Sequence, residues 1–324
     1  MIKIGMIGTG QIAQTHANFL SKMPDVRIVA AFDSIQEKAK VMAKQLGAVA
    51  YDDLEAMLGN VDAVYVCTPP KFHCEAVIPS AKAGVHIFCE KPLTVSVEDA
   101  EAVEQAVKNA NITFMVGFNF RFFPIFTRFK SLVDSGKLGD TYNFWCIRMT
   151  WLPHLPPNWR TDPRFICGMT IESLSHDFDY MRWFVGDVTS VMGKVLTSRS
   201  DLEGYDNIVN AIMTLKSGGM ANIQSSWASH VSVHQYGVIG TLGSAICENG
   251  IIRYRIENDS SESIIECNQP EDKVSPYQRE SENFIECIKT GKKPLTGVED
   301  GVATVKISHA VLQSSQNGCL VKLV

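Results

Sequence analysis

The stretch MIKIGMIGTGQIAQTH, residues 1–16, sets the fold of the first half of the chain. An apolar run of strand length, residues 4–7, leads directly into Gly8 and Gly10, and an amphipathic pattern begins at Ile12. In this order of strand, glycine turn and helix, backbone amides can approach a phosphate at the positive end of the helix. Tight turns of small residues are also common for structural reasons, so the motif needs support from the rest of the sequence.

The same alternation of strand and helix continues through the first third of the sequence. The predicted strands are residues 4–7, 26–32, 63–67, 86–89 and 113–116, and the predicted helices are 12–21, 35–46, 54–58, 74–83 and 97–110. Repeated βα units indicate a parallel sheet with helices on both faces. We therefore predict an α/β protein whose residues 1–120 form a Rossmann domain, a doubly wound parallel sheet.

After Gly117 the apolar runs become longer and alternate with polar residues, which is typical of antiparallel strands. The predicted strands are residues 142–151, 208–215, 221–228, 236–239, 244–248, 251–256 and 263–267, and the predicted helices are 126–134, 171–184, 277–289 and 297–315. Residues 121–324 are thus expected to form a C-terminal α+β domain for substrate binding, with a large, mostly antiparallel open sheet. Helices would cover one face, so the other face predicts a homodimer or homotetramer.

The composition narrows the class of protein. The chain has 324 residues, 45% of them hydrophobic and 20% charged, with a net charge of −5, which suits two globular domains and a small-molecule ligand. Nucleic acid and anionic membrane surfaces are not expected partners.

The apolar start is too short for a signal peptide and no apolar run reaches about 18 residues, so we expect a cytoplasmic protein. The nine scattered cysteines contain no C-x-x-C pair, and we expect reduced thiols and no metal site.

The second predicted strand completes the dinucleotide motif. It ends at Asp33, about 20 residues beyond the glycines, where a carboxylate can accept hydrogen bonds from the ribose hydroxyls and repel a 2′-phosphate. No arginine follows within residues 33–36, so NAD is favoured over NADP. The cofactor contacts predicted here are Gly8, Thr9, Gly10, Gln11, Ile12, Asp33 and Ser34. Thr68, Pro69 and His73 follow a third strand and are expected at the same edge of the sheet, although His73 is also compatible with packing.

Over essentially its whole length the chain resembles the family of glucose-fructose oxidoreductase, inositol dehydrogenase and MocA-like proteins. The matching residues are Gly8-x-Gly10-x-x-Ala13, Thr68-Pro69 with His73, Glu90-Lys91-Pro92, and His176-Asp177-x-Asp179 after Gly168. The resemblance implies that Lys91 lies beside the nicotinamide and the reacting oxygen and that His176 transfers the proton. It also places Glu90 and Asn119 at the cofactor.

Two positions depart from this pattern. Polyol-oxidising relatives carry an aspartate four residues before the histidine, where this chain has Glu172, and several carry an arginine in place of Phe120. On a continuous helix Glu172 and His176 would share one face. We therefore expect Glu172 to join Lys91 and His176 in catalysis or to touch substrate, with Phe120 making recognition less polar.

The chemistry of alcohol oxidation agrees with these residues. It needs a base that titrates near neutrality and a positive charge for the developing alkoxide, which histidine and lysine supply. A histidine at a helix start is also compatible with capping, and a lysine before proline with a surface position. The Pro-rich segment 152–158, followed by Trp159 and Arg160, is predicted to wall the substrate cleft, and these two residues are predicted substrate contacts that are equally compatible with packing.

Three functions fit the sequence. The first is an NAD-dependent oxidoreductase acting on a cyclic polyol, a sugar or a sugar derivative. The second is a glycosidase-type or keto-sugar enzyme that oxidises and re-reduces the same sugar. The third is a non-catalytic dinucleotide-binding regulator, which has no need for Lys91 or His176.

Overall fold

The computed structural model describes residues 1–152, 159–162, 164–165, 167–198 and 204–323. The chain divides into two compact units. The first comprises Met1–Phe122 together with Val274–Val305, and the second comprises Phe123–Lys273 together with the residues from Lys306 onward. Residues 274–305 thus pack with the first unit, although the sequence analysis placed them in the C-terminal domain.

The elements alternate regularly only in the first part of the chain. Up to residue 116 they are β1 (Ile2–Ile7), α1 (Gln11–Leu20), β2 (Val26–Phe32), α2 (Gln36–Leu46), β3 (Val49–Tyr51), α3 (Leu54–Leu58), β4 (Ala63–Val66), α4 (His73–Lys82), β5 (His86–Cys89), α5 (Val97–Asn109) and β6 (Phe114–Val116). They continue with α6 (Pro124–Asp134), β7 (Thr141–Trp151), α7 (Gly168–Glu172), α8 (Leu174–Val185), β8 (Val188–Leu196), β9 (Ile208–Leu215), β10 (Met220–Ser226), β11 (Ala228–Gly240), β12 (Gly243–Glu248), β13 (Ile251–Ile256), β14 (Ser263–Glu266), α9 (Pro276–Thr290), α10 (Val298–Asn317) and β15 (Val321–Lys322).

The first unit contains a six-stranded sheet in the order β3-β2-β1-β4-β5-β6, with all neighbours parallel. This is the strand order of a Rossmann fold, and it confirms the predicted doubly wound sheet. The sequence analysis missed β3. This strand has three residues, all at least partly exposed at the sheet edge, so no apolar run marks it.

The second unit contains a nine-stranded sheet in the order β14-β13-β12-β11-β7-β10-β9-β8-β15. Its strand pairs are antiparallel apart from β7 with β10, which confirms the mostly antiparallel sheet that the sequence predicts. β8 and β15 were not predicted. Gly193 and Lys194 interrupt the apolar pattern of β8, and β15 has only two residues.

An aromatic cluster packs α6 and α8 onto one face of this sheet. Phe126 of α6 and Tyr180 of α8 are 4.9 Å apart between ring centroids, and both contact Tyr236 of β11. Aromatic side chains bury large apolar areas, so this cluster forms much of the core of the unit. On β9, buried and exposed residues alternate, and Ile212 on the opposite face is 60% exposed.

The helix predicted over residues 171–184 is divided into α7 and α8 at Ser173. The Arg148 guanidinium donates to both the carbonyl and the hydroxyl of Ser173 at this break, at 3.2 and 2.9 Å. In a continuous helix the Ser173 carbonyl would point along the helix axis towards a later amide. Here it accepts a hydrogen bond from Arg148 instead.

Within the described part of the chain, no helix combines the length and the apolar character that crossing a membrane requires.

Candidate cofactor and catalytic site

Three adjacent strands of the parallel sheet end where the predicted cofactor residues lie. β1 leads into Gly8, β4 leads towards Thr68, and β5 leads into Glu90 and Lys91. Because β1, β4 and β5 are neighbours and parallel, these ends share one edge. The strand order changes direction beside β1, and ligands of open α/β sheets bind at such a point.

The two glycines of the motif have different reasons to be glycine. Gly8 has a φ of +80°, and a Cβ there would lie 2.7 Å from the backbone nitrogen of Thr68, so the fold itself requires glycine. A Cβ on Gly10 would meet no protein atom within 4 Å. Gly10 is also the N-cap of α1 and provides no side-chain cap for the helix. Open space at an uncapped helix start fits the approach of a phosphate group.

Asp33 connects the glycine turn to the end of β2. Its Oδ2 accepts hydrogen bonds from the backbone nitrogen and the hydroxyl of Thr9, both at 2.9 Å, and its Oδ1 accepts from the amide of Ile35 at 2.9 Å. Oδ2 thus accepts two hydrogen bonds and Oδ1 only one, so Oδ1 retains capacity for a further donor such as a ribose hydroxyl. A cleft of about 320 Å³ lies beside Thr9 and is lined by residues of α1 and α2, including Lys38. Gln11 and Ser34 are exposed at the same turns, and Ile12 is half-buried.

His73 is fully buried, and each of its ring nitrogens faces a backbone carbonyl oxygen, of which a neutral ring can donate to one side only. Nε2 lies 2.9 Å from the Thr68 carbonyl oxygen, and Nδ1 lies 3.0 Å from that of Pro92. Burial lowers the pKa of the imidazole, which keeps it neutral. His73 thus joins the Thr68-Pro69 turn to the segment after Lys91. We do not propose the cofactor contact that the sequence analysis expected of His73, because its side chain has no exposed surface.

Glu90 points into the protein, whereas Lys91 is half-buried. The Glu90 carboxylate lies 2.7 Å from Nε2 of His16, and it accepts a hydrogen bond from the backbone nitrogen of Lys91 at 3.2 Å. The side-chain oxygen of Asn119 is buried and has no hydrogen-bond partner among the described residues, so it can accept a bond from a ligand.

In the second unit, Glu172 is 4% exposed and holds two polar side chains. It accepts a hydrogen bond from Nε of Arg160 at 2.5 Å and one from the hydroxyl of Tyr205 at 3.0 Å. The Arg160 guanidinium also lies 4.5 Å from the centre of the Trp159 ring. The structure thereby brings together three predicted site residues and adds Tyr205, which no sequence signal marked. Of the preceding Pro-rich segment, residues 153–158 lie outside the described residues.

His176 lies in the first turn of α8 and is 9% exposed. The neighbouring Asp177 is fully buried and binds Arg148 of β7, with 2.9 and 3.1 Å from Nε to its two oxygens. Tyr180 donates to the same carboxylate at 2.9 Å. Arg148 is the one cation of strand β7, and the sequence analysis missed it.

One group in the described residues has the composition of a metal site. His16, Glu90 and Glu280 offer ligand atoms that all lie within 4.8 Å of one another, and all three residues are buried. They come from α1, the end of β5 and α9, so no sequence spacing connects them. Whether the group suits a metal ion depends on its distances, which are considered below.

The chain matches known protein families in both halves. Residues 2–118 match the NAD-binding Rossmann domain of the GFO/IDH/MocA oxidoreductase family, and residues 126–246 match a GFO/IDH/MocA C-terminal domain. The chain belongs to this family. It is an oxidoreductase with a nicotinamide-binding Rossmann domain, as the sequence predicts.

Individual relatives match over nearly the full length. An uncharacterized oxidoreductase, YrbE of Bacillus subtilis, is 31% identical and covers 99% of this chain and 96% of its own. Myo-inositol 2-dehydrogenase of Thermotoga maritima is 28% identical, covering 99% of this chain and 98% of its own. A levoglucosan dehydrogenase, solved with NADH and levoglucosan, shares the fold with a TM-score of 0.89 at 21% identity, covering 100% of this chain and 99% of its own.

Proposed function

We propose that this enzyme is an NAD-dependent dehydrogenase that acts on a secondary alcohol, or the corresponding ketone, of a cyclic polyol, sugar or sugar derivative. The observation that carries the proposal is the position of Lys91 directly after β5, on the sheet edge that also holds Gly10 and Asp33. A cation there can serve a reaction beside a bound dinucleotide. The family match over both halves, with a myo-inositol dehydrogenase among the relatives, supports the substrate class.

The cofactor proposal assigns the pyrophosphate to Gly10 and the start of α1, and the adenosine ribose to Asp33. NAD is preferred to NADP because the Asp33 carboxylate would repel a 2′-phosphate. Thr68 and Asn119 are assigned to the same cofactor through their buried side-chain oxygens, which have no hydrogen-bond partner among the described residues. When bound, the nicotinamide supplies the hydride acceptor or donor.

Two residues of the protein act on the substrate oxygen, one by stabilising its charge and the other by transferring its proton. Lys91 stabilises the developing alkoxide with its ammonium group, and His176 accepts the hydroxyl proton during oxidation and returns it during reduction. Such general acid-base catalysis is typically worth about 10²–10⁴ in rate. Glu172 holds Arg160 and Tyr205, so its proposed role is to position these side chains rather than to act as a second base.

Substrate recognition is proposed for Trp159, Arg160 and Phe120. Hydrogen bonding of Arg160 to Glu172 fixes its guanidinium, and a fixed guanidinium loses less freedom when it binds substrate oxygens. Trp159 offers an aromatic face for the apolar side of a ring, and Phe120 makes its part of the site less polar.

The proposal includes assembly through the open sheet of the second unit and a cytoplasmic location. The uncovered face exposes Met192, Ile212 and Met220, which are 46%, 60% and 55% exposed. Large apolar side chains exposed on a sheet face fit a subunit interface. A homodimer or homotetramer would cover it.

The experiment that tests the function follows NADH absorbance with the purified protein, NAD or NADP, and a panel of inositols, aldoses, anhydro-sugars and keto-sugars. Turnover on one substrate class, with NAD preferred, is the expected result. Tight NAD binding without turnover on the whole panel would contradict the proposal. Transfer of an isotopic hydride within one sugar, without release of NADH, would replace it with internal hydride recycling.

A further inference from the structure

Three ionisable side chains meet inside the first unit next to the segment that carries Lys91. His16 and Glu280 have no exposed surface, and Glu90 is 8% exposed. Nε2 of His16 lies 2.7 Å from Oε1 of Glu90 and 4.0 Å from Oε1 of Glu280. The second oxygen of Glu90 accepts the hydrogen bond from the Lys91 backbone. Glu90 therefore links helix α1, which begins at the cofactor turn, to the backbone of Lys91.

Apart from Lys91 and Arg279, which adjoin Glu90 and Glu280 in the sequence, the groups named around this cluster carry no charge at neutral pH. The His16 ring lies 5.2, 4.9 and 5.8 Å from the rings of Tyr65, Phe88 and Tyr277. Burial raises the pKa of the two tyrosines and of the thiols of Cys67 and Cys89, and it lowers the pKa of His73. The adjacent cations in sequence are Lys91 and Arg279. A second negative charge in the cluster would therefore lie among mostly neutral rings and thiols.

The two carboxylates are not equivalent. Glu90 is hydrogen-bonded to His16 and to the Lys91 amide, both of which stabilise a negative charge. Both oxygens of Glu280 are buried and have no hydrogen-bond partner among the described residues. Burial and the negative charge of Glu90 both raise the pKa of Glu280 well above its ordinary value. The negative charge thus belongs on Glu90 and a proton on Glu280.

The distances favour a proton over a metal ion. Ligand atoms about 2.1 Å from a tetrahedral ion lie roughly 3.4 Å from one another. The separation of 2.7 Å between His16 and Glu90 is a hydrogen-bond distance, shorter than that spacing. A metal ion would have to separate a pair that is already hydrogen-bonded.

We propose that Glu280 holds a proton at neutral pH, which allows Glu90 to remain ionised and to fix the Lys91 backbone against helix α1. His16, Glu90 and Glu280 are then positioning residues for the lysine. Loss of the proton would place a second negative charge in the cluster and would push the two carboxylates apart. The effect on turnover rests on the function proposed above, whereas the protonation itself does not.

The protonation can be tested without any substrate. Infrared difference spectra between wild type and Glu280→Gln at neutral pH are expected to show the carbonyl stretch of a protonated carboxyl group in the wild type alone. Glu286→Gln, on an exposed position of the same helix, is the matched control and should leave this band in place. Absence of the band would overturn the proposal. So would one equivalent of bound transition metal, measured by elemental analysis, that Glu280→Gln removes.

Thermal unfolding at a series of pH values gives a second test. Because folding raises the pKa of Glu280, the stability that its protonated carboxyl contributes is fully present below the unfolded pKa of about 4.3 and is lost as the pH rises through the folded value. Glutamine does not titrate. The melting temperature of Glu280→Gln relative to wild type should therefore increase steadily above that pH. A difference independent of pH would contradict a proton on Glu280.

Kinetics then test the positioning role. Glu280→Ala should lower kcat about tenfold through displacement of the Lys91 segment, and Glu280→Gln should recover most of this loss because it preserves a neutral side chain of the same shape. Equal losses in both variants would show that the carboxyl group acts as an anion. If the wild type turns over no substrate, the proposed function fails. The infrared and thermal experiments would still show whether Glu280 is protonated, because they need no substrate.

Discussion

Lys91 and Lys82 lie at opposite edges of the parallel sheet, so the proposed catalytic position can be compared with an ordinary surface position. Lys91 follows β5 at the carboxyl edge. Lys82 ends α4, the helix that returns the chain to the amino edge before β5, and it is exposed. The two residues have the same charge, so substituting each one separates the effect of location from that of net charge.

Lys91→Ala should lower kcat by about 10²–10³ because the alkoxide loses its stabilising charge, while NAD still binds. Steady-state kinetics and a cofactor titration by fluorescence measure the two effects. Lys82→Ala should change neither. Retention of most of kcat in Lys91→Ala would remove this lysine from the mechanism.

Asp33 and Asp25 flank the same strand, β2, and provide a similar comparison for the cofactor. Asp33→Ala should weaken NAD binding by about tenfold or more, through loss of charge-assisted bonds to the ribose, and should relax discrimination against NADP. Asp25→Ala removes a carboxylate paired with Lys289 at the other end of the strand and should alter neither constant. Titrations with both dinucleotides measure the ratio. An unchanged ratio in Asp33→Ala would mean that another group reads the ribose.

At the scale of elements, α8 is held to the sheet by an ion pair as well as by its aromatic face. Asp177 has no exposed surface, and Arg148 of β7 binds both this carboxylate and Ser173. Arg182 of the same helix pairs with Asp187, whose side chain is 57% exposed. A buried pair and an exposed pair on one helix should therefore differ greatly in their contribution to stability.

Arg148→Met should lower the free energy of unfolding by about 3–5 kcal/mol, because it leaves the Asp177 carboxylate buried without its cation. Arg182→Ala should cost at most about 1 kcal/mol, since water solvates the partner that remains. Urea denaturation measures both. The double variant Arg148→Met/Asp177→Leu should recover much of the loss. Equal destabilisation in Arg148→Met and Arg182→Ala would refute a larger contribution from the buried Arg148–Asp177 pair.

For the whole molecule, one face of the nine-stranded sheet exposes apolar side chains, among them Met192, Ile212 and Met220. A cavity of about 460 Å³ is lined by residues of β8, β9, β10 and the end of α10, with Ile212 among them. A stable interface needs about 800 Å² from each partner, and a broad sheet can supply such an area. This is the physical basis for the proposed homo-oligomer.

Ile212→Lys places a charge on the β9 part of that face and should convert the oligomer to a monomer, as measured by analytical ultracentrifugation. The cause is the cost of burying an unpaired ammonium group at an interface. Val49→Lys, at an exposed position of edge strand β3 in the first unit, is the control and should leave the assembly intact. A wild-type protein that is monomeric at all concentrations would overturn the assembly proposal.

Much of the fold follows from the sequence because local periodicity encodes it. The βα alternation predicts five of the six strands of the parallel sheet. The apolar runs of three of these strands end just before Gly8, Asp33 and the Glu90-Lys91 segment, which locates the strand ends. The elements that sequence reasoning missed, β3, β8 and β15, are short or interrupted by Gly193 and Lys194, so their periodicity is weak.

The sequence by itself determined the two classes of sheet, the glycine turn with Asp33 and the Glu90-Lys91 segment, since each of these depends on neighbours in the chain. The tertiary structure alone decided that Arg148 meets Asp177, that Glu172 holds Arg160 and Tyr205, and that His16, Glu90 and Glu280 share one buried space. Buried charges must find partners wherever packing places them, because an unpaired one is too costly in the interior. No local pattern records which distant residue that partner is.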